Sequence, residues 1–178
     1  MIRLFTAIEL PPELAERLAA QGVGLPGARW VPARNLHLTL RFIGEVDEAA
    51  AEEIHNQLAT VAAPPFTLTL AGLGLFGDRH RAHTLWQGVE RSDALGLLVG
   101  RVEAAVVRAG QPPETRKFSP HITLARIKET PPARIQAFIS AAPPHRADMA
   151  PVDGFGLFRS TLARGGPEYD VLERYPLV

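Results

Sequence analysis

Two histidines occur in the same local setting, His-Leu-Thr-Leu at 37–40 and His-Ile-Thr-Leu at 121–124. In a β-strand, residues two apart project from one face. His37 and Thr39 therefore point one way and Leu38 and Leu40 the other; His121 and Thr123 stand in the same way over Ile122 and Leu124. A single strand histidine beside a threonine is usually a half-buried, hydrogen-bonded pair. Recurrence at equivalent repeat positions favours a functional pairing, with two imidazoles and two hydroxyls converging once the repeats face one another.

Such a quartet suits phosphodiester cleavage by general acid–base catalysis. An imidazole with an ordinary pKa near 6.5 can start a cycle charged or neutral around pH 7. One neutral histidine takes a proton from an attacking water while a charged one protonates the departing oxygen. Threonine hydroxyls can donate to the non-bridging phosphate oxygens, where charge accumulates. Both motifs offer the same groups, so spacing alone does not say which histidine is the acid. No Asp or Glu adjoins either motif and the chain has no cysteine. A zinc site of three or four ligands is therefore not expected, and neither is any cofactor.

The elements that must hold these residues are marked off by prolines, 16 in the chain and often paired, as at Pro11-Pro12, Pro64-Pro65, Pro112-Pro113, Pro131-Pro132 and Pro143-Pro144. Periodicity predicts strands over 2–9 and 36–43 and a helix over 12–21. A second helix runs from an Asp47 cap to about Ala62, with Ile54, Leu58 and Val61 on one stripe. A hairpin of 66–77 and 82–89 follows, then a long helix from Ser92 to about Ala109. Next come a strand at 121–127 and a helix at 132–142, with final strands near 147–158 and 169–174. There is also an echo: HLTL, a helix and GLGLF from Gly72; then HITL, a helix and GFGLF from Gly154. Two landmarks repeated in order argue for a duplicated unit, approximately 36–90 and 120–177. The expected fold is α+β and bilobal: one domain over 1–178, two pseudo-twofold-related lobes with mainly antiparallel sheets and flanking helices around a central cleft.

Several other residues are candidates for substrate contact. Arg41, four steps from His37, has the parity to share its face. Arg79, His80, Arg81 and His83 form a basic run at the hairpin turn that reads as a backbone clamp or as an exposed polar loop. Phe5, Phe42, Phe76 and Phe118 lie near the motif strands, where an aromatic ring can stack on a terminal base, although most strand phenylalanines are core. His55, within a helix, and His145, after a proline pair, read as surface residues.

The flanks extend the pattern: RLFTAIELP at Arg3–Pro11, RWVPARNLHLTLRFIGEV at 29–46, RKFSPHITLARI at 116–127 and LFRSTLARGGPEYDVLERYPL at 157–177. Together with the paired HxT motifs, they resemble the two-histidine phosphoesterases, and among them the RNA 2′,3′-cyclic phosphodiesterases, formerly named 2′-5′ RNA ligases, over nearly the whole chain. The resemblance implies a bilobal fold with both motifs lining a central cleft, and hydrolysis of RNA 2′,3′-cyclic phosphate ends to 2′-phosphomonoesters. It implies His37 as proton donor, His121 as proton acceptor, and Thr39 and Thr123 as phosphate ligands. Arg126, after the second motif, would be a further phosphate ligand. Strict alternation from His121 puts Arg126 on the wrong face, so this role requires a bulge or a strand end to redirect it.

Composition bounds the alternatives. The chain has 178 residues, with 19 basic and 19 acidic side chains and 46% hydrophobic residues. That is enough for a single globular domain and argues against disorder. A protein tracking many phosphates carries a strong basic excess, so contact with an RNA 3′ end or a nucleoside 2′,3′-cyclic phosphate is expected to be short and local. No run approaches the ~20 apolar residues of a membrane span, and there is no signal-peptide pattern; a cytoplasmic monomer without membrane contact is the expectation. Competing readings are 2′-5′ RNA end joining, another cyclic nucleotide substrate, and a non-catalytic nucleotide-binding module with the same cleft.

Overall fold

A register of one residue pair organises the molecule. The computed structural model describes residues 1–178 except 23, 79 and 143–148. In chain order its elements are β1 (Ile2–Glu9), α1 (Pro12–Ala19), β2 (Ala28–Trp30), a 3-10 turn (Ala33–Asn35), β3 (His37–Val46), α2 (Glu48–Leu58), β4 (Phe66–Phe76) and β5 (Thr84–Val89). There follow α3 (Asp93–Arg108), β6 (His121–Ile127), α4 (Pro132–Ala141), β7 (Met149–Val152), β8 (Gly154–Ala163) and β9 (Gly166–Pro176). The fold is α+β, with a curled antiparallel sheet ordered β7-β4-β5-β6-β3-β1-β8-β9 and β2 added to β6. β4 serves two partners, β7 along Phe66–Thr69 and β5 along Leu70–Phe76. At the middle of the path, β3 meets β6 through one pair, Leu38 with Ile122.

The path reads alike from either end of this junction. β3 and β6 are innermost, β1 and β5 come next, and the GFGLF and GLGLF strands β8 and β4 stand third. The sequence repeats and the two halves of the sheet are not the same units, however. The GLGLF strand that follows His37 in sequence lies in the half that holds His121, and the GFGLF strand that follows His121 lies in the half that holds His37. The chain thus crosses over twice and binds the halves together.

The apolar residues between the motif side chains anchor the junction. Leu38, Leu40, Ile122 and Leu124 are buried in one core with Ile54 and Leu58 of α2 and Leu95, Leu98, Val102 and Val106 of α3. Each such side chain contributes roughly 2 kcal/mol by leaving water. Both helices are capped as their sequences suggest: the Asp47 carboxylate accepts from the Ala50 amide at 2.8 Å and the Ser92 hydroxyl from the Leu95 amide at 3.2 Å. A smaller core joins Ile135 of α4 to Leu25, Leu85, Ala125 and Ile127.

Several elements differ from expectation, among them β3, which runs to Val46 rather than ending at 43. α2 stops at Leu58 rather than near Ala62, where the Thr60 amide and hydroxyl both bond back to the Gln57 carbonyl. β2 has three residues, too few to show periodicity. The final strands extend to a hairpin of Gly154–Ala163 and Gly166–Pro176, preceded by β7. Near its turn both strands are largely exposed, so no apolar alternation marks them. Residues 147 and 148, where the first of these strands was expected to start, lie outside the described residues.

Candidate active site

The pairing of Leu38 with Ile122 settles what the two motifs do to each other. In an antiparallel pair, the residue before one partner stands opposite the residue after the other. His37 therefore neighbours Thr123, and Thr39 neighbours His121. All four side chains line one cleft of about 690 Å³, on the face opposite α2 and α3. That volume falls in the range of small-molecule sites.

A bulge recurs three residues after each histidine. Thr6 pairs with Arg41 and Ala7 with Thr39, leaving Leu40 unpaired; Leu85 pairs with Ala125 and Trp86 with Thr123, leaving Leu124 unpaired. Each extra residue reverses the alternation. Arg126, on the wrong face by strict parity, is thereby turned to the cleft, where its Nη1 donates to Thr84 Oγ1 at 2.9 Å. The matching bulge in β3 turns Arg41 away. The guanidinium of Arg41 instead pairs with Glu103 at 2.6 Å and donates to the Pro112 carbonyl at 2.5 Å. Arg41 as a substrate contact is therefore corrected to a structural role, and Phe42 occupies the position equivalent to Arg126 on the cleft wall.

Both imidazoles are held in the same way. His37 Nδ1 is 2.7 Å from the Asn35 carbonyl and His121 Nδ1 is 2.7 Å from the Ser119 carbonyl, each two residues upstream. A carbonyl only accepts, so both Nδ1 atoms carry hydrogen and Nε2 is left for chemistry. His37 Nε2 lies 3.0 Å from Thr39 Oγ1. Burial pushes the His37 pKa down; the Asn35 carbonyl opposes this and the nearby His121 adds to it.

Aromatic rings fix both imidazoles but not identically. His37 lies 5.0 Å from Phe5 and 5.3 Å, edge-on, from Tyr169. His121 meets Phe76 edge-on at 4.7 Å and Trp86 at 6.2 Å. Phe76 thus braces His121 from behind and is not among the residues of the cleft wall, where a base would stack. Phe118 and Arg81 are also absent from that wall. Phe118 packs against the main core while its carbonyl accepts from Arg91 at 3.0 Å. The Arg81 amide bonds the Asp78 carboxylate in the β4–β5 turn. Of the rest of the basic run, His83 Nδ1 approaches Thr84 Oγ1 at 2.9 Å and so touches the support of Arg126; Arg79 lies outside the described residues, as does His145. His55 is half-buried rather than on the surface, with Nδ1 3.0 Å from the Tyr175 hydroxyl.

The cleft is basic although the chain is neutral overall. Among the described residues, Arg3, Arg29, Arg34, Arg116 and Arg126 line it against one acid, Glu168. Arg3, Arg29, Arg34, Arg116 and Tyr169 are not singled out by sequence reasoning. The available signal was the arginines in RWVPARN, directly before the first motif. Burial raises the Tyr169 pKa, and Arg126 and Arg3 oppose the rise, so cations from both halves of the sheet approach this phenol. Among the described residues no group of three His, Cys, Asp or Glu side chains is placed to hold a metal ion, and no helix is long and apolar enough to cross a membrane.

Known proteins match this chain along nearly its whole length. The family described as LigT like Phosphoesterase matches twice, over residues 8–86 and 89–169, once in each half of the chain. A relative from Thermotoga maritima, named RNA 2′,3′-cyclic phosphodiesterase, is 35% identical over 180 residues, covering 96% of this chain and 93% of its own length. One of the same name from Escherichia coli is 33% identical, covering 98% of this chain and 96% of its own. The chain spans 57% of the length of a third, from Geobacillus stearothermophilus, with 32% identity. The crystal structure of E. coli LigT complexed with 3′-AMP superposes with a TM-score of 0.81 at 32% identity, covering 99% of this chain and 98% of that one. The structure of E. coli LigT complexed with phosphate gives 0.77 at 31% identity, with the same coverage. On its sequence, its fold and both halves of its cleft, the chain belongs to the LigT-like phosphoesterase family, the two-histidine phosphoesterases.

Proposed function

We propose that the protein hydrolyses RNA 2′,3′-cyclic phosphate ends to 2′-phosphomonoesters, by two-histidine acid–base catalysis and without a metal ion. The observation that carries this reading is the pairing of Leu38 with Ile122, which sets two His–Thr pairs around one point of a basic cleft. Relatives named for this activity and a related structure holding 3′-AMP support the substrate class.

In this mechanism His121 Nε2 takes a proton from water as the water oxygen bonds to phosphorus. The P–O3′ bond breaks, and His37 gives its proton to the departing O3′. Thr39 and Thr123 donate to the non-bridging oxygens, and Arg126 supplies charge against the phosphoryl group. The assignment of acid and base follows the family resemblance. The free protein adds a condition: burial and His121 hold His37 below its ordinary pKa. The proton on His37 is therefore kept by the negative charge of the bound phosphate, which favours the imidazolium beside it.

The test is a short RNA ending in a 2′,3′-cyclic phosphate, incubated in excess EDTA with wild type, His37→Ala and His121→Ala. Metal-free conversion to a 2′-phosphate, lost in both variants, is the expected result. A folded wild type that binds nucleotide without turnover would replace this reading with a binding module. Activity that disappears in chelator would overturn metal independence.

A further inference from the structure

Arg29 stands directly opposite Arg126 in the antiparallel pairing of β2 with β6, and both side chains line the cleft. Like charges directly opposite one another on a sheet repel. Arg126 is tied to Thr84, but Arg29 makes no hydrogen bond or ion pair with any described residue. Glu168, the one acid among the described residues that line the cleft, makes no ion pair with Arg29. Arg126 is drawn to Thr84 on β5, the edge of β6 away from β2, which leaves Arg29 as a cleft cation that a bound anion would neutralise.

Position on the sheet separates the two cations. Arg126 lies three residues beyond Thr123, about 10 Å of strand at roughly 3.3 Å per residue, and the side chain of Arg126 can reach back toward the reacting phosphate. Arg29 stands at the same level on β2, along the edge of β6 that β3 also uses, and no protein partner among the described residues ties it as Thr84 ties Arg126. We propose that Arg29 is a second-phosphate subsite, holding the internucleotide phosphate on the 5′ side of the terminal nucleotide. The inference deepens the phosphodiesterase reading, on which it rests: the cleft prefers an RNA end, which has that second phosphate, to a mononucleotide, which lacks it.

The test compares binding with turnover. Affinities are measured for 3′-AMP and for the dinucleotide ApA bearing a 3′-phosphate, across a salt series, with wild type, Arg29→Gln and Arg29→Lys. Turnover of the corresponding 2′,3′-cyclic phosphates is measured alongside. The wild type is expected to favour the dinucleotide. In Arg29→Gln that preference falls about 10-fold, as one charge-assisted contact is lost. The slope of log affinity against log salt for the dinucleotide shrinks by about 0.7, the single-strand value for one phosphate contact. Arg29→Lys keeps most of the preference because the charge remains. Equal losses for both ligands in Arg29→Gln, or an unchanged preference, would overturn the subsite. A wild type that shows the Arg29-dependent preference but hydrolyses neither cyclic phosphate would instead overturn the hydrolase reading and leave the subsite standing.

Discussion

Gly74, the second glycine of GLGLF, sits where a side chain would collide with Trp86. A Cβ there would lie 2.1, 2.3 and 2.6 Å from three atoms of the indole ring. Ordinary contact begins near 3.4 Å, so in Gly74→Ala the ring must move by more than 1 Å. It cannot move freely, since Phe76 packs 5.4 Å from its centre and His121 6.2 Å. Overpacking of this kind costs about 1–3 kcal/mol. For a domain of this size each kcal/mol lowers Tm by about 2–4 °C, so a fall of about 2–12 °C is expected. Because the displaced ring packs on the imidazole proposed as the base, kcat should fall by about 10- to 100-fold, the scale of a misplacement near 1 Å. The matched control is Gly72→Ala, whose new methyl meets nothing within 4 Å. Thermal unfolding and steady-state kinetics on the two variants read both effects. Equal Tm and kcat in the two variants would refute the idea that this glycine exists to seat the indole against His121.

Three further outcomes follow from named contacts. Arg41→Ala, which removes the partner of the partly buried Glu103 carboxylate, should cost about 2 kcal/mol and leave kcat/KM within about twofold of wild type; a cost below the full penalty for a buried pair reflects the exposure left to Glu103. A selective loss of kcat with no loss of stability would return Arg41 to the site. With His37 as the proposed acid, the alkaline limb of kcat/KM should lie below the ordinary histidine value of 6.5, because burial lowers the His37 pKa. The same limb in kcat should lie higher in pH, since the bound phosphate holds the proton on; coincident limbs would contradict that coupling. Gly100→Ala, in the middle of α3 with open space at its Cβ, should stabilise by about 1 kcal/mol in chemical denaturation; a loss would mean that the open space is not open.

Most of what positions the site was legible in the residues, for physical reasons. The HxT alternation marks strands whose apolar residues must face a core, and the structure buries Leu38, Leu40, Ile122 and Leu124 as that pattern requires. Arg126 required a bulge, and a bulge is present, but nothing in LTLR or TLAR announces that Leu40 and Leu124 leave the ladder. The same device misled the reading of Arg41, whose parity from His37 is correct only in an unbroken strand. Crossing of the GxGLF strands into opposite halves depends on long-range pairing that a local pattern does not encode. The basic cleft was invisible in a balanced composition because the five arginines are gathered there from separate segments, Arg29 by a strand of three residues.

In the proposed mechanism His37 protonates the leaving oxygen while His121 activates water, and a change of leaving group separates these roles. A nucleoside phosphodiester with a p-nitrophenolate leaving group departs without a proton, so it needs the base and not the acid. Wild type, His37→Ala and His121→Ala would be assayed on this ester and on a 2′,3′-cyclic phosphate. His37→Ala should lose about 10²- to 10⁴-fold on the cyclic substrate yet remain within about 10-fold of wild type on the activated ester, while His121→Ala loses both. Rescue of His121→Ala instead would exchange the roles, and equal loss on both substrates in both variants would contradict acid–base division between the two histidines.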